Sequence, residues 1–327
     1  MENRELTYST LKKYQKANDS KSFWMLFFTL ISFFSLLTLN IYSYSLNPFY
    51  SLFYSVPIGI LMCRFFVIEH DCGHLSFFTN KKHNRIGGSI LGFLVMIPNT
   101  IWDHIHNVHH GRLGNLDERK ANPELWTMTL NEYKKSNILV KIIYRFMRSM
   151  FIRLFITPIL WMIASRIPFP RLGAKVLIAT IVYDIIYGII LYFIIKNNYL
   201  NAFVIIYLIP LYLFLFMASI MFYLQHQFEH TSWEKSEDWD LYEASIHGSS
   251  YVKLKPFMRW ITGNVGCHHV HHLNTKIASY NLHEATIEID KYLEVDVIYL
   301  KELFHHLNCA LWDEDAKKLI PFRKITS

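Results

Sequence analysis

The 327-residue chain collects its apolar positions into blocks instead of spreading them evenly. Four blocks are long and almost uncharged, and each can cross a bilayer core as a helix, which takes about 20 residues. They cover about 23–45, 50–68, 174–195 and 199–224. Short polar turns join the first to the second and the third to the fourth. The pattern predicts an all-α integral membrane fold with four transmembrane helices in two hairpins.

Two further apolar stretches lie between the hairpins. The stretch from Ile86 to Trp102 is short and contains several glycines and Pro98, which predicts a re-entrant or interfacial helix instead of a full span. The stretch from Leu139 to Leu154 has Lys141, Arg145 and Arg148 on one side and apolar residues on the other. It predicts one basic amphipathic helix lying on an anionic membrane surface.

The remaining regions, 69–173 and 225–327, are expected to form a helical cap, so that 1–327 is a single membrane domain. The net charge is +7, and Lys and Arg concentrate in the N-terminal, middle and C-terminal regions, which two hairpins place on one side. The positive-inside rule predicts that this side, and therefore the cap, is cytosolic. Basic runs interleaved with aromatic residues are lacking, so nucleic acid is not expected as a partner.

Seventeen histidines and only four cysteines direct attention to imidazole chemistry. The cysteines form no CxxC pair, which is typical of a reducing compartment and argues against a Cys-ligated zinc site. Three histidine motifs, called box one, box two and box three in chain order, each follow an apolar stretch or lie in the cap: HDCGH at 70–74, HNVHH at 106–110 and HHVHH at 268–272. A further histidine, His226, follows the fourth block.

The spacing within these motifs has a physical reason. Residues three and four apart lie on the same face of a helix, so HxxxH directs two imidazoles one way and HxxHH directs three. Eight or nine imidazoles exceed what one transition ion takes, which predicts two ions, although imidazole alone suits zinc, copper, iron and nickel. The predicted ligands are His70, His74, His106, His109, His110, His226, His268, His271 and His272.

Other polar residues receive more limited expectations. His269 should point away from the ligand face, and the remaining histidines outside the motifs are interpreted as surface or packing residues, with the role of His230 left open. Asp184, in the middle of the third block, is either a functional carboxylate or the partner of a nearby tyrosine. Polar residues near the motifs are either partners that orient ligand imidazoles or simply solvated side chains; these are Asp71, Asp103, Glu229 and Asn264.

The motifs and their surroundings resemble those of the membrane-bound acyl-lipid fatty-acid desaturases, and among them the bacterial members. The similar segments are HDCGHLSF (70–77), FYLQHQFEHTSWE (222–234), GSSY (248–251) and RWITGNVGCHHVHHL (259–273). The resemblance covers about residues 50 to 285, and the nine predicted ligands match the family's ligand positions. His230 departs from it, because the family usually has an acidic residue there.

This resemblance implies two iron ions, O₂ as a co-substrate and the removal of two hydrogens from an acyl chain of a membrane lipid. It also implies a site on the cytosolic face, in a bacterial cell membrane. Since neither end carries a fused HPGG haem motif, a separate electron donor of ferredoxin or cytochrome b5 type is expected. Two alternatives stay open: a di-iron hydroxylase acting on a lipid, alkane, carotenoid or sphingoid base, and a metal transporter.

Overall fold

The computed structural model describes residues 2–119, 126–167 and 172–325. It is mainly helical, with five very short strands among these residues. The helices are α1 (Glu2–Lys12), α2 (Asp19–Leu46), α3 (Pro48–Gly73), α4 (Lys81–Leu94), α5 (Asn99–Arg112), α6 (Leu130–Lys135), α7 (Ile138–Met147), α8 (Thr157–Ala164), α9 (Ala174–Lys196), α10 (Leu200–Phe203), α11 (Ile209–His226), α12 (Leu241–His247), α13 (Pro256–Ile261), α14 (His268–Leu273), α15 (Ser279–Ile289) and α16 (Leu303–Asn308).

Two π-helical segments interrupt this helical pattern. Ile152–Ile156 leads directly into α8, and Val204–Leu208 joins α10 to α11. The strands form two small sheets in the cap. Their bounds are β1 (Met128–Thr129), β2 (Tyr251–Val252), β3 (Val297–Ile298), β4 (Leu311–Asp313) and β5 (Lys318–Ile320). β1 pairs in parallel with β4, which pairs antiparallel with β5, and β2 pairs in parallel with β3.

Four helical stretches of the described chain are long and apolar enough to cross a membrane: α2, α3, α9 and Leu200–His226. The predicted four-helix membrane fold is therefore confirmed, with each helix extending slightly beyond its apolar block. α3 is the most buried of the four, whereas α9 exposes nearly all of its apolar side chains. Exposed apolar surface of this extent suits contact with lipid.

The centre of the fold is the packing of α3 against α2, α4 and α11. Gly59 allows α3 and α11 to approach closely, since a Cβ at this position would lie 2.9 Å from the Pro210 carbonyl oxygen. The main apolar core fills this region, and a second core in the cap lies between α1, α12, α14 and α15. The spans and the cap thus each have an apolar core of their own.

The interrupted stretch after box one forms α4 and α5, which are bent by 105° relative to each other. Such a pair is either a broken span or a re-entrant loop, and it does not form one straight transmembrane helix. The bend follows Val95 and reverses the chain through Met96, whose φ is 60°. It turns α5 so that its second half reaches the cap end of α3, where the first histidine motif lies.

The predicted single amphipathic helix over 139–154 is wrong in its extent. α7 ends at Met147, and the following π-helical segment and α8 are bent by 59° from it. In a straight helix, residues five apart point about 140° apart, so Arg148 and Arg153 could not face the same neighbour. With the bend, both side chains are buried and donate to the cap, Arg148 to the carbonyl of Cys309 and Arg153 to that of Leu307.

The basic residues of α7 bond neighbouring cap residues, although Arg145 stays exposed. Arg145 donates to the Tyr133 hydroxyl and Lys141 to the Lys134 carbonyl, while the apolar residues Ile138, Leu139 and Phe146 are exposed. An amphipathic helix at a membrane surface sinks its apolar side into the bilayer. The cationic residues of α7 therefore fasten the cap to the helix, with the apolar side left for lipid.

Asp184, expected to be either a functional carboxylate or the partner of a nearby tyrosine, pairs with an arginine in the structure. Its carboxylate forms an ion pair with Arg166, whose guanidinium lies 4.1 Å from the centroid of the Tyr187 ring and also donates to the Met96 carbonyl. The pair joins α9 to the segment after α8 and to the α4–α5 bend. Asp184 thus has a structural role in the arrangement of the helices.

Candidate metal centre

Box one lies where α3 leaves the apolar core. The helix begins sharply, because Asn47 caps the Phe49 N–H and Pro48 occupies the first turn. It then runs without a break to Gly73, so that His70 and His74 lie one turn apart at its cap end, and the His74 N–H donates to the His70 carbonyl at 3.2 Å. Both imidazoles thus leave the helix on one side, as the HxxxH spacing predicts.

Boxes two and three come from a longer and a shorter helix. α5 carries His106, His109 and His110 in its second half. α14 is only six residues long and entirely buried; Val270 and Leu273 pack into the cap core, which leaves the other side for its histidines. His226 is the last residue of α11. Four separate elements therefore converge at the junction of the spans and the cap.

The nine predicted imidazoles form two groups, each with potential ligand atoms within 4.8 Å of one another. Five belong to the first group: His70, His74, His106, His110 and His271. Four belong to the second: His109, His226, His268 and His272. Each HxxHH box is divided, because its outer histidines, four residues apart, enter one group and the middle one enters the other. The sequence predicted the members but not this division.

The Nε2 atoms inside each group are closely spaced. In the first group, His110 lies 3.0 Å from both His106 and His271. In the second, His226 lies 2.8 Å from His268 and 3.1 Å from His109, and His268 lies 3.2 Å from His272. With metal–nitrogen bonds of 2.0–2.1 Å, neighbouring ligands of an octahedral ion lie ~3 Å apart and opposite ones ~4 Å. The residues therefore fit one ion in each group.

The protonation state also suits a metal. Burial, and then the neighbouring imidazoles, hold the pKa of His268, His271 and His272 well below the usual value. These rings are neutral at physiological pH, and neutral imidazole is the form that ligates a metal. A cluster of charged imidazoles at this spacing would repel itself, so an ion that accepts their lone pairs is the natural partner.

Two of the predicted ligands have a partner for their second ring nitrogen. His226 Nδ1 donates to the Gly248 carbonyl at 3.2 Å, and His70 Nδ1 donates to Asp71 at 3.3 Å. The other Asp71 oxygen accepts from the Ser279 N–H at 2.7 Å. Such contacts fix the ring orientation and leave Nε2 toward the metal.

The other three polar candidates bond elsewhere. Asp103 accepts from Asn99, Asn264 donates to the Ser279 carbonyl, and Glu229 pairs with His305 and Lys318. None of these contacts reaches a histidine of the two groups. Among the described residues, Asp71 is thus the one of the four that contacts a predicted ligand.

The remaining histidines lie outside both groups. His269 is buried and bonds Asp290 at 3.0 Å, pointing away as expected, and His230 is exposed. His305, His306 and Cys309 form a separate group of possible ligand atoms. The sequence analysis had classed the two histidines as surface or packing residues. Glu229 engages two of them, since its carboxylate contacts His305 and its N–H donates to His306.

Two aromatic residues that the sequence analysis did not select contact the ligands. Trp102 stacks on His106 with ring centroids 4.6 Å apart and an interplanar angle of 18°. Phe222 lies 5.1 Å from His226, centroid to centroid. Each aromatic residue precedes its histidine by four positions, which places it one turn away on the same helix face. This four-residue spacing is the sequence signal that could have identified both aromatic residues.

An apolar cavity of about 390 Å³ reaches both groups. His70 and His106 of the first group and His268 of the second contribute to its wall. Apolar residues of α3, α11 and α13 supply most of the rest. An apolar ligand in this cavity would therefore lie against both groups of imidazoles.

Comparison with known proteins agrees with this arrangement. Residues 45–301 match the family model described as fatty acid desaturase. A fatty acid desaturase of Bacillus subtilis is 34% identical over 314 residues, covering 91% of this chain and 84% of that protein. The fold and the histidine groups define a membrane metalloenzyme class, and the chain belongs to the fatty acid desaturase family. It is an oxidoreductase of lipid metabolism.

Two cyanobacterial relatives are more distant. The sn-1 acyl-lipid omega-3 desaturase (ferredoxin) of Nostoc is 26% identical over 262 residues, covering 78% of this chain and 69% of that protein. The protein of the same description in Synechocystis is 26% identical over 251 residues, covering 73% and 66%.

Proposed function

We propose that the nine histidines hold two iron ions, and that the protein uses O₂ to form a double bond in acyl chains of membrane lipids. The observation that carries this proposal is the division of the imidazoles into groups of five and four at the wall of one apolar cavity. The site is further proposed to face the cytosol of a bacterial cell membrane, following the distribution of Lys and Arg.

The chemistry requires a redox metal. An unactivated C–H bond has no acidic proton for a side chain to remove, so the hydrogens must leave by oxidation. When bound, the two iron ions would supply that oxidation with O₂ and electrons from a donor.

The protein's own residues bind and align the chain. The cavity excludes water with apolar side chains, and its polar members are satisfied: Gln225 donates to the Val265 carbonyl at 2.7 Å and Thr262 to the Met258 carbonyl at 3.0 Å. An acyl chain in this cavity meets no unpaired polar group apart from the ligand face. Three of the predicted ligands line the cavity: His70, His106 and His268. Their location along the cavity determines which carbons of the acyl chain would face the metals.

The proposal is tested by the fatty-acid methyl esters of a host that makes no polyunsaturates. Wild type should give a new unsaturated ester, and His109→Ala should give none. His104→Ala is the matched control, because His104 lies on the same helix but is exposed, and it should retain the product. An oxygenated lipid in place of the alkene, or equal product from His109→Ala, would overturn the proposal.

The electron donor is proposed to be a separate protein of ferredoxin or cytochrome b5 type. Support comes from the two cyanobacterial relatives, whose descriptions include ferredoxin. Purified protein in lipid should therefore form product only when a reduced donor is added. Turnover without any donor would contradict this part of the proposal while leaving the desaturation reaction intact.

A further inference from the structure

A groove between α6 and α7 has both charged and apolar lining residues. Lys134, Lys141 and Arg145 supply its charge, and Ile138 and Ile142 supply its main apolar surface. The two isoleucine side chains are 72% and 56% exposed. Among the described residues, the groove shares no lining residue with the apolar cavity beside the histidines. It is therefore a separate feature of the protein surface.

Two of the basic side chains meet at the Tyr133 ring. Lys141 Nζ and Arg145 Cζ lie 5.8 and 5.7 Å from its centroid. Arg145 Nε donates to the Tyr133 hydroxyl at 2.5 Å, and Lys141 Nζ donates to the Lys134 carbonyl at 2.9 Å. These bonds hold both side chains in place and use one donor of each, whereas an ammonium group has three N–H donors and a guanidinium group has five. Both side chains thus have further donors for a ligand in the groove.

The positive charge of the groove is not balanced within the part of the chain that the structure describes. The acidic residue of α6, Glu132, forms its ion pair with Arg119. In this described part, no carboxylate lies within ion-pair distance of Lys134, Lys141 or Arg145. Three cationic side chains on two adjoining helices repel one another, so an anion bound in the groove would lower the electrostatic energy of this region.

The exposed aliphatic side chains adjoin these charges on the same helix. Ile138 and Arg145 are seven residues apart on α7, so their side chains point within about 20° of each other. Charge alone would suit any anion or an acidic protein, whereas aliphatic surface beside it favours a ligand with an anionic head and an apolar tail. The groove therefore matches a membrane lipid better than a free anion.

We propose that the groove binds an anionic phospholipid of the surrounding membrane, with the phosphate at Lys134, Lys141 and Arg145 and an acyl chain along Ile138 and Ile142. The inference does not depend on the proposed reaction, since this lipid lies outside the cavity that reaches the histidines. The lipid contacts α6 and α7 together, so the protein should be more stable with anionic lipid than with zwitterionic lipid.

The first test measures lipid binding to the purified full-length protein in detergent by native mass spectrometry. Dioleoylphosphatidylglycerol should bind the wild type roughly tenfold or more tightly than dioleoylphosphatidylcholine, which has the same acyl chains but no net charge. The double variant Lys141→Gln, Arg145→Gln should bind phosphatidylglycerol roughly 20- to 30-fold more weakly and phosphatidylcholine as the wild type does. Arg145→Lys retains the charge and should keep most of the preference.

The matched control is the double variant Lys235→Gln, Lys291→Gln, because both lysines are exposed in the cap and the net charge changes by the same amount. An equal loss in this control, or an unchanged preference in the groove variant, would overturn the site. If the groove variant does not fold, judged by thermal unfolding without lipid, Arg145→Gln alone decides the question. Arg145 is exposed, and its replacement should weaken phosphatidylglycerol binding about fivefold.

The second test distinguishes a lipid from other anionic partners. Glycerol 3-phosphate has the charged group without acyl chains, so at the same concentration it should not displace phosphatidylglycerol. Displacement would assign the groove to a free phosphate and overturn the proposal. So would a groove variant that needs more of an acidic electron donor while its lipid binding is unchanged. Lipid binding is read without any turnover, so an enzyme that forms no alkene would reject the proposed function and leave this inference standing.

Discussion

One histidine at the end of α11 completes the second group. Without His226 that group would have three imidazoles, and His226 is the only predicted ligand outside the three boxes. We expect His226→Ala to lose product and to bind less iron, measured by elemental analysis of the purified protein. His230→Ala changes an exposed histidine four residues further along, after the end of α11, and should keep both. Full iron content in His226→Ala would contradict the assigned ligand set.

The carboxylate of Asp71 links box one to the cap. It bonds His70 Nδ1 and the Ser279 N–H, so Asp71→Asn weakens both contacts. The expected result is a loss of iron affinity of roughly 10- to 100-fold, measured by competition with a chelator. Asp290→Asn is the control, because Asp290 bonds His269, which is outside both groups. Equal affinities for the two variants would show that the Asp71 contact has no effect on the metals.

At the residue scale, sequence reasoning found which side chains meet but not how they are divided. The HxxxH and HxxHH spacings are local, so they identify the nine histidines from the chain alone. Placing His109 in one group and His110 in the other depends on the angle between α5 and α14, which is set by distant packing. The ion pair of Asp184 with Arg166 was missed for the same reason.

At the element scale, the bend after α7 is held by contacts with the cap. Arg148 and Arg153 are buried and donate to carbonyls of Cys309 and Leu307. Arg148→Met should lower the free energy of unfolding by about 1–3 kcal/mol, because buried acceptors lose a charged donor. Thermal unfolding in detergent measures this. Arg145→Met changes an exposed arginine on the same helix and should have a much smaller effect.

The same segment shows where helix prediction from sequence ends. The four spans could be found because a run of about 20 apolar residues is sufficient evidence for a transmembrane helix. The end of α7 could not, since the acceptors that cause the bend lie in residues 307–309, more than 150 positions away. Periodicity continued smoothly through Arg148, and nothing local marked the break.

At the scale of the whole molecule, the orientation in the membrane can be tested with cysteines. All four native cysteines are buried and free, so they should react slowly with an impermeant maleimide. Lys196→Cys lies at the end of α9, next to the turn that joins it to α10, and Lys301→Cys is exposed in the cap. In intact cells the first should be labelled, and the second only after permeabilisation. The reverse pattern would place the cap outside the cytosol.

The division of each HxxHH box between the two groups has a consequence for assembly. α5 and α14 each contribute to both groups, so the first ion to bind orients imidazoles that the second ion needs. Occupancy of one site thereby lowers the conformational cost of filling the other, which is positive cooperativity. Titration of metal-free protein with ferrous iron should give a steep, sigmoidal curve, and cells short of iron should hold fully loaded and metal-free molecules in preference to half-loaded ones.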